Sequence, residues 1–170
     1  MEFIDLVKER YSCKSFKDEK VSKEIIEKIL EIGSLAPTAK NSQPQKVYVL
    51  DSENAIKAVD NATPCRYNAQ TVLAVCYDTT NVYKYPEGDY DSGVEDATIV
   101  ATHLMLAAKS LGVDSCWLNF VKVDQLKKEL GLPENEQIVM LLDLGYPQEN
   151  FKPLENHYTR KSLSETTKWL

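Results

Sequence analysis

A chain of 170 residues with 43% hydrophobic residues has the material for a core and fits one domain, residues 1–170. Its formal net charge of -6 excludes a broad electrostatic footprint for nucleic acid or anionic membrane, so any functional positive charge must act locally. There is no cationic, apolar leader, no apolar run long enough to cross a bilayer, and no CxxC spacing among Cys13, Cys65, Cys76 and Cys116; a cytoplasmic protein without a metal site is expected.

Phe3, Leu6 and Val7 repeat at helical spacing and predict a one-faced N-terminal helix. The segment Arg10-Tyr11-Ser12-Cys13-Lys14-Ser15-Phe16 follows, with two cations and two hydroxyls in its first five residues. Arg offers a planar fork of donors to a phosphate, Ser adds a short donor, and Lys14 extends the positive charge along a ligand. The same composition also suits a solvated helix end, so the segment by itself leaves both readings open.

Ser22 is the expected cap of a second helix carrying Ile25, Ile26, Ile29 and Leu30, which Pro37 ends. Thr38 to Gln45 reads as a loop, Lys46 to Leu50 as a strand, Glu53 to Val59 as a helix and Thr71 to Tyr77 as a buried strand. Thr79 to Tyr90 has no period and is expected to be a surface loop whose tyrosines line a pocket, stack on an aromatic substrate or simply pack. Asp91 or Ser92 caps the longest helix, whose apolar face runs from Val94 to Leu111 and which Gly112 closes.

A strand at Asp114 to Asn119, a helix at Asp124 to Leu130 stopped by Gly131, and a strand at Gln137 to Leu144 complete the regular part. The polar tail holds a short helix near Ser164 to Trp169. Helices and strands in this order indicate an α/β or α+β sandwich. Trp169 and Leu170 are large apolar residues at a chain end, and a partner subunit is an economical place to bury them. His103 and His157 read as structural or solvated, and Cys76 and Cys116 as small core residues.

Several segments together resemble the FMN-dependent nitroreductase family, in particular its small, single-domain members. They are Arg10 to Phe16; Leu35-Ala36-Pro37-Thr38-Ala39-Lys40-Asn41-Ser42-Gln43-Pro44; Asp91-Ser92-Gly93 before a long helix; Leu111-Gly112-Val113-Asp114-Ser115-Cys116-Trp117-Leu118-Asn119; and Leu130-Gly131-Leu132-Pro133-Glu134 followed by Leu144-Gly145-Tyr146-Pro147. They stand in family order and reach Arg160 in the tail.

The resemblance implies an α+β fold with a mainly antiparallel sheet flanked by helices, in a domain-swapped homodimer that binds FMN at its interface. It implies that Arg10 and Ser12 hold the phosphate and ribityl end, with Arg160 closing on the phosphate from the tail, Lys161 a lesser candidate, and Tyr11 among the cofactor-binding residues. Lys14, where the family often has Arg, would lie at the N1/O2 side of the ring and tune the flavin; no protein residue acts as nucleophile. Pro37, Thr38, Asn41 and Gln43 would approach the flavin from the other subunit. Asn68 would contact the pyrimidine, and Leu118, Asn119 and Phe120 would run past flavin N5 and O4.

The implied activity is transfer of hydride from a transient NAD(P)H donor through FMN to a small-molecule acceptor such as a nitroaromatic or quinone. The alternatives are a flavin-binding or sensing dimer without NAD(P)H turnover, or another flavin reaction on the same fold. No GxGxxG fingerprint marks a resident dinucleotide. The Thr79 to Tyr90 loop either covers the flavin or leaves it open.

Overall fold

The computed structural model describes residues 2–170. Its helices are α1 (Phe3–Glu9), α2 (Lys23–Gly33), α3 (Glu53–Ala62), α4 (Gly93–Ser110), α5 (Val123–Leu130) and α6 (Leu163–Thr166); its strands are β1 (Gln45–Leu50), β2 (Thr71–Asp78), β3 (Asp114–Leu118) and β4 (Glu136–Gly145). The strands form one antiparallel sheet in the order β1-β2-β4-β3. This is the expected α+β sandwich, its elements in the predicted order, with α3 three residues longer than its apolar spacing suggested.

Period-two alternation sends alternate residues of each strand to opposite faces, and both faces are covered. Leu73, Val75, Met140, Leu142 and Leu144 pack with α2 and α4 through Ile26, Ile29, Val100 and Leu104. On the other face Val72, Ala74, Cys76, Cys116 and Leu141 pack with α3 and α5 through Ala58, Val59 and Leu126. Each fully buried Leu, Ile or Val contributes about 1.5–3 kcal/mol relative to leaving it in water. Cys76 and Cys116 are core residues, and burial pushes both thiols up to about 12.

The Ser22 hydroxyl accepts from Ile25 N at 3.4 Å, as expected of a cap, and Ser52 does the same for α3. At α4 the outcome is divided. Asp91 Oδ1 accepts from Gly93 N at 3.0 Å, whereas Ser92 makes no cap bond to the helix and instead donates to Asp96 Oδ2 at 2.7 Å. The helix must begin on glycine, because a Cβ at Gly93 would stand 2.2 Å from the Tyr77 ring. Among the described residues no helix is long and apolar enough to cross a membrane.

Both chain ends lack cover. No residue of α1 or α6 is buried; Phe3 is 66% exposed, Trp169 97%, and Leu163 is also open.

Candidate functional site

The basic segment is fastened to the edge of the sheet. After α1 the chain turns at Arg10 into extended backbone, Ser12 pairs in parallel with Ser115 of β3, and Cys13 N donates to Ser115 O at 2.9 Å. Extended geometry alternates side chains, so Cys13 drops into the core while Ser12 and Lys14 stay exposed on either side of it. Cys13 is therefore an anchor, and burial pushes its thiol up to about 11, the inert form.

Tyr11 does the remaining fastening. Its hydroxyl donates to Asp114 Oδ2 at 2.8 Å, Lys109 Nζ donates to Asp114 Oδ1 at 2.9 Å and also lies over the Tyr11 ring, and the ring stacks on Phe151. Burial, with the Asp114 carboxylate beside it, raises the Tyr11 hydroxyl well above the usual phenol range. Tyr11 thus ties together the basic segment, the end of α4, the start of β3 and the tail.

The consequence is a polar cavity of about 280 Å³ lined by Arg10, Tyr11, Ser12, Lys14, His157 and Arg160. The tail reaches it through a 3₁₀ turn at Glu155–Tyr158, and Arg160 Nη1 donates back to the carbonyls of His157 and Thr159, which orients the guanidinium. No carboxylate lines this cavity, and among the described residues none forms an ion pair with Arg10, Lys14 or Arg160. Two forks, an ammonium and a hydroxyl without a counter-ion, in a chain of net charge -6, make a donor set that fits a phosphate monoester. Lys161 does not line the cavity.

The other predicted residues lie elsewhere. Thr38 Oγ1 accepts from Gln43 N at 3.0 Å, Gln43 Nε2 donates to Asn41 O, and Ala39 N donates at 2.8 Å to the buried Asp96 of α4. This holds Pro37, Thr38, Asn41 and Gln43 as a rigid turn at the start of α4 and not in the basic cavity of the same chain. Lys40, Asn41 and Gln43 all have φ between 50° and 54°, and Tyr67 and Asn68 are also left-handed at 51° and 69°. Such backbone costs on the order of 1–3 kcal/mol per residue and gathers at ligand-binding sites.

Asn68 does sit beside the basic segment: its Nδ2 donates to Phe16 O at 3.2 Å, and Lys14 Nζ lies 5.9 Å from the Tyr67 ring centroid. At the end of β3, Leu118 is buried and Asn119 Oδ1 accepts from Trp117 Nε1 at 2.9 Å. Phe120 is 75% exposed, and its N–H makes no hydrogen bond among the described residues. Asn119 and Phe120 line a second cavity, of about 350 Å³, with Thr63, Pro64, Val121 and Lys122.

The model of the nitroreductase family matches residues 7–66 and 65–146. The chain belongs to the nitroreductase family. It is 33% identical over 155 residues, 87% of each chain, to an Archaeoglobus fulgidus protein assigned provisionally as an NADH dehydrogenase/NAD(P)H nitroreductase. A crystal structure of a nitroreductase family protein from Clostridium difficile superposes with a TM-score of 0.92 at 34% identity, covering 99% of this chain and 98% of that one. A nitroreductase-like protein from Exiguobacterium sibiricum, solved in complex with FMN, shares the fold with a TM-score of 0.85 at 23% identity, covering 100% and 98%.

In this nitroreductase-family chain three features carried no expectation from the sequence, one in the basic cavity, one in the Thr38 to Gln43 turn and one in the sheet. His157, read as structural or solvated, lines the basic cavity; only the fold carries it from the tail to Arg10. The turn at residues 40–43 was expected as a loop and Asn41 suits left-handed backbone, but nothing in the sequence marked Lys40 and Gln43 for it. Asp143 was visible as a lone carboxylate in the apolar run Ile138 to Leu144; it is fully buried on β4 opposite Cys116, neither oxygen has a partner, and burial pushes it up to about 9. The Thr79 to Tyr90 loop packs its tyrosines against one another: Tyr85 stands edge-on to Tyr83 and stacks on Tyr90, and Lys40 lies over the Tyr83 ring.

Proposed function

We propose that residues 1–170 form one FMN-dependent oxidoreductase domain that works as a homodimer in the cytoplasm, oxidising NAD(P)H and reducing a nitroaromatic, quinone or related acceptor in alternating half-reactions. One observation carries this reading: Arg10, Lys14 and Arg160, from opposite ends of an acidic chain, share a cavity with Ser12 and have no carboxylate partner among the described residues. FMN supplies the hydride chemistry when bound; the protein holds and orients it.

Arg10, Ser12 and Arg160 take the phosphate, and three charge-assisted contacts of about 1.5–3 kcal/mol each support micromolar affinity. Lys14 places its charge beside the pyrimidine and favours the anionic reduced ring. The free Phe120 N–H serves the N5 and O4 edge, with Leu118 and Asn119 flanking the ring. Asn68 contributes its second amide hydrogen to the pyrimidine. The Pro37 to Gln43 turn, preformed but away from its own basic cavity, reaches the flavin of the second protomer, and the uncovered Phe3, Leu163 and Trp169 pack across the same interface. The electron donor binds transiently over the flavin.

The deciding experiment is the visible absorbance of the purified protein before and after anaerobic NADH and then NADPH. A flavin spectrum that bleaches supports the reading. A flavin spectrum that persists replaces NAD(P)H with another donor or with a non-catalytic role, and no flavin even after addition of FMN removes the site assignment.

A further inference from the structure

We infer that the His157 side chain is a direct phosphate-binding group of this chain, a donor that lets the site tell FMN from riboflavin; this rests on the reading of the basic cavity as the FMN phosphate site. The ring stands edge-on to Tyr11 of the basic segment, with centroids 6.3 Å apart at 75°, and edge-on to its neighbour Tyr158 in the same turn at 4.9 Å and 76°. Tyr11 in turn is fixed by Asp114 and Phe151, so the imidazole is set against a rigid wall and not on a free tail.

The backbone groups of His157 are already occupied, its N–H by Leu154 O at 2.9 Å and its carbonyl by Arg160 Nη1. Neither ring nitrogen has a hydrogen-bond partner among the described residues. An imidazole always offers at least one N–H, whichever tautomer it holds, and both nitrogens donate when it is protonated. Here that donor lines a cavity shared with Arg10, Ser12, Lys14 and Arg160, with no acidic side chain in the wall to accept it. Arg160 meanwhile commits one terminal nitrogen to the His157 and Thr159 carbonyls, so the same short turn presents a guanidinium and an imidazole together. An incoming phosphate oxygen is the acceptor this pair lacks.

The test compares His157→Phe, which keeps a ring against Tyr11 but has no donor, with His157→Gln, which keeps a donor of similar reach. Full-length proteins freed of flavin are titrated with FMN and with riboflavin by fluorescence quenching. His157→Phe should bind FMN about 10-fold more weakly with riboflavin affinity unchanged. His157→Gln should recover most of the loss. Equal losses for both flavins, or unchanged FMN affinity in His157→Phe, would overturn the role of His157 while leaving the cavity assignment intact. If the wild-type protein itself binds FMN no better than riboflavin, the cavity is not a phosphate site and the inference falls with it.

Discussion

The Tyr11 hydroxyl donates to Asp114 across 103 positions of sequence, at 2.8 Å, and the second oxygen of that carboxylate takes the Lys109 ammonium at 2.9 Å. The pair joins the segment that carries Arg10 and Ser12 to the sheet edge that leads to Asn119 and Phe120. Tyr11→Phe keeps the stacking on Phe151 and removes only the hydroxyl, while Lys109 still pairs with Asp114. The variant should lose about 1.5–3 kcal/mol of stability by urea unfolding, the range for a hydrogen bond to a charged group. A midpoint unchanged within error would mean that the bond has no net worth.

Arg10→Ala should be purified largely colourless. In the proposed phosphate-binding role, loss of its charge-assisted contact should lower FMN affinity by about 10- to 100-fold. Normal flavin occupancy would show that Arg10 faces the cavity without holding the ligand.

Lys14→Met should act on the potential more than on occupancy. With Lys14 in the proposed place beside the ring, loss of its charge should disfavour the reduced anion, and each 1.4 kcal/mol corresponds to about 30 mV for a two-electron couple. A fall of that order in spectroelectrochemical titration is expected; an unchanged potential would place Lys14 away from the ring.

Asp143 makes stability depend on pH. Burial raises its carboxyl in the folded protein to about 9, whereas the unfolded chain ionises it near 4. The unfolded state therefore binds fewer protons between those values, and stability falls as pH rises from about 4 to about 9, by about 4 kcal/mol at pH 7. Asp143→Asn removes this dependence. Its melting temperature should exceed that of the wild type by more at pH 8 than at pH 5; the same offset at both would mean that Asp143 is ionised in the fold.

Deletion of residues 160–170 removes Arg160 and the exposed Leu163, Trp169 and Leu170 together. The shortened chain should sediment as a monomer at micromolar concentration and lose flavin on gel filtration. A stable yellow dimer would show that the tail serves neither role.

Much of the architecture was legible because it rests on local rules. Ser22 caps α2, Gly131 ends α5 at φ 64°, and the expected strands became β1, β2 and β4 within one residue of their expected ends. Ser92 shows where local rules stop: it suits a cap by type, yet a buried Asp96 one turn later captures its hydroxyl, and Asp91 caps instead. Asp143 shows the converse, a residue whose type argues for exposure but whose strand position dictates burial.

The sequence by itself determined which elements form, the charge of the segment at Arg10 to Lys14 and, through motif order, the family. Those follow from spacing, capping and composition, which act over a few residues. Only the tertiary structure decided that His157 comes from the far end of the chain to line the basic cavity beside the expected Arg160, that Tyr11 is locked to Asp114, and that Asp143 is buried on β4. Those contacts span a hundred residues or more, or depend on which face a strand presents. They are fixed by how α4, β3 and the tail pack, and no local pattern encodes that.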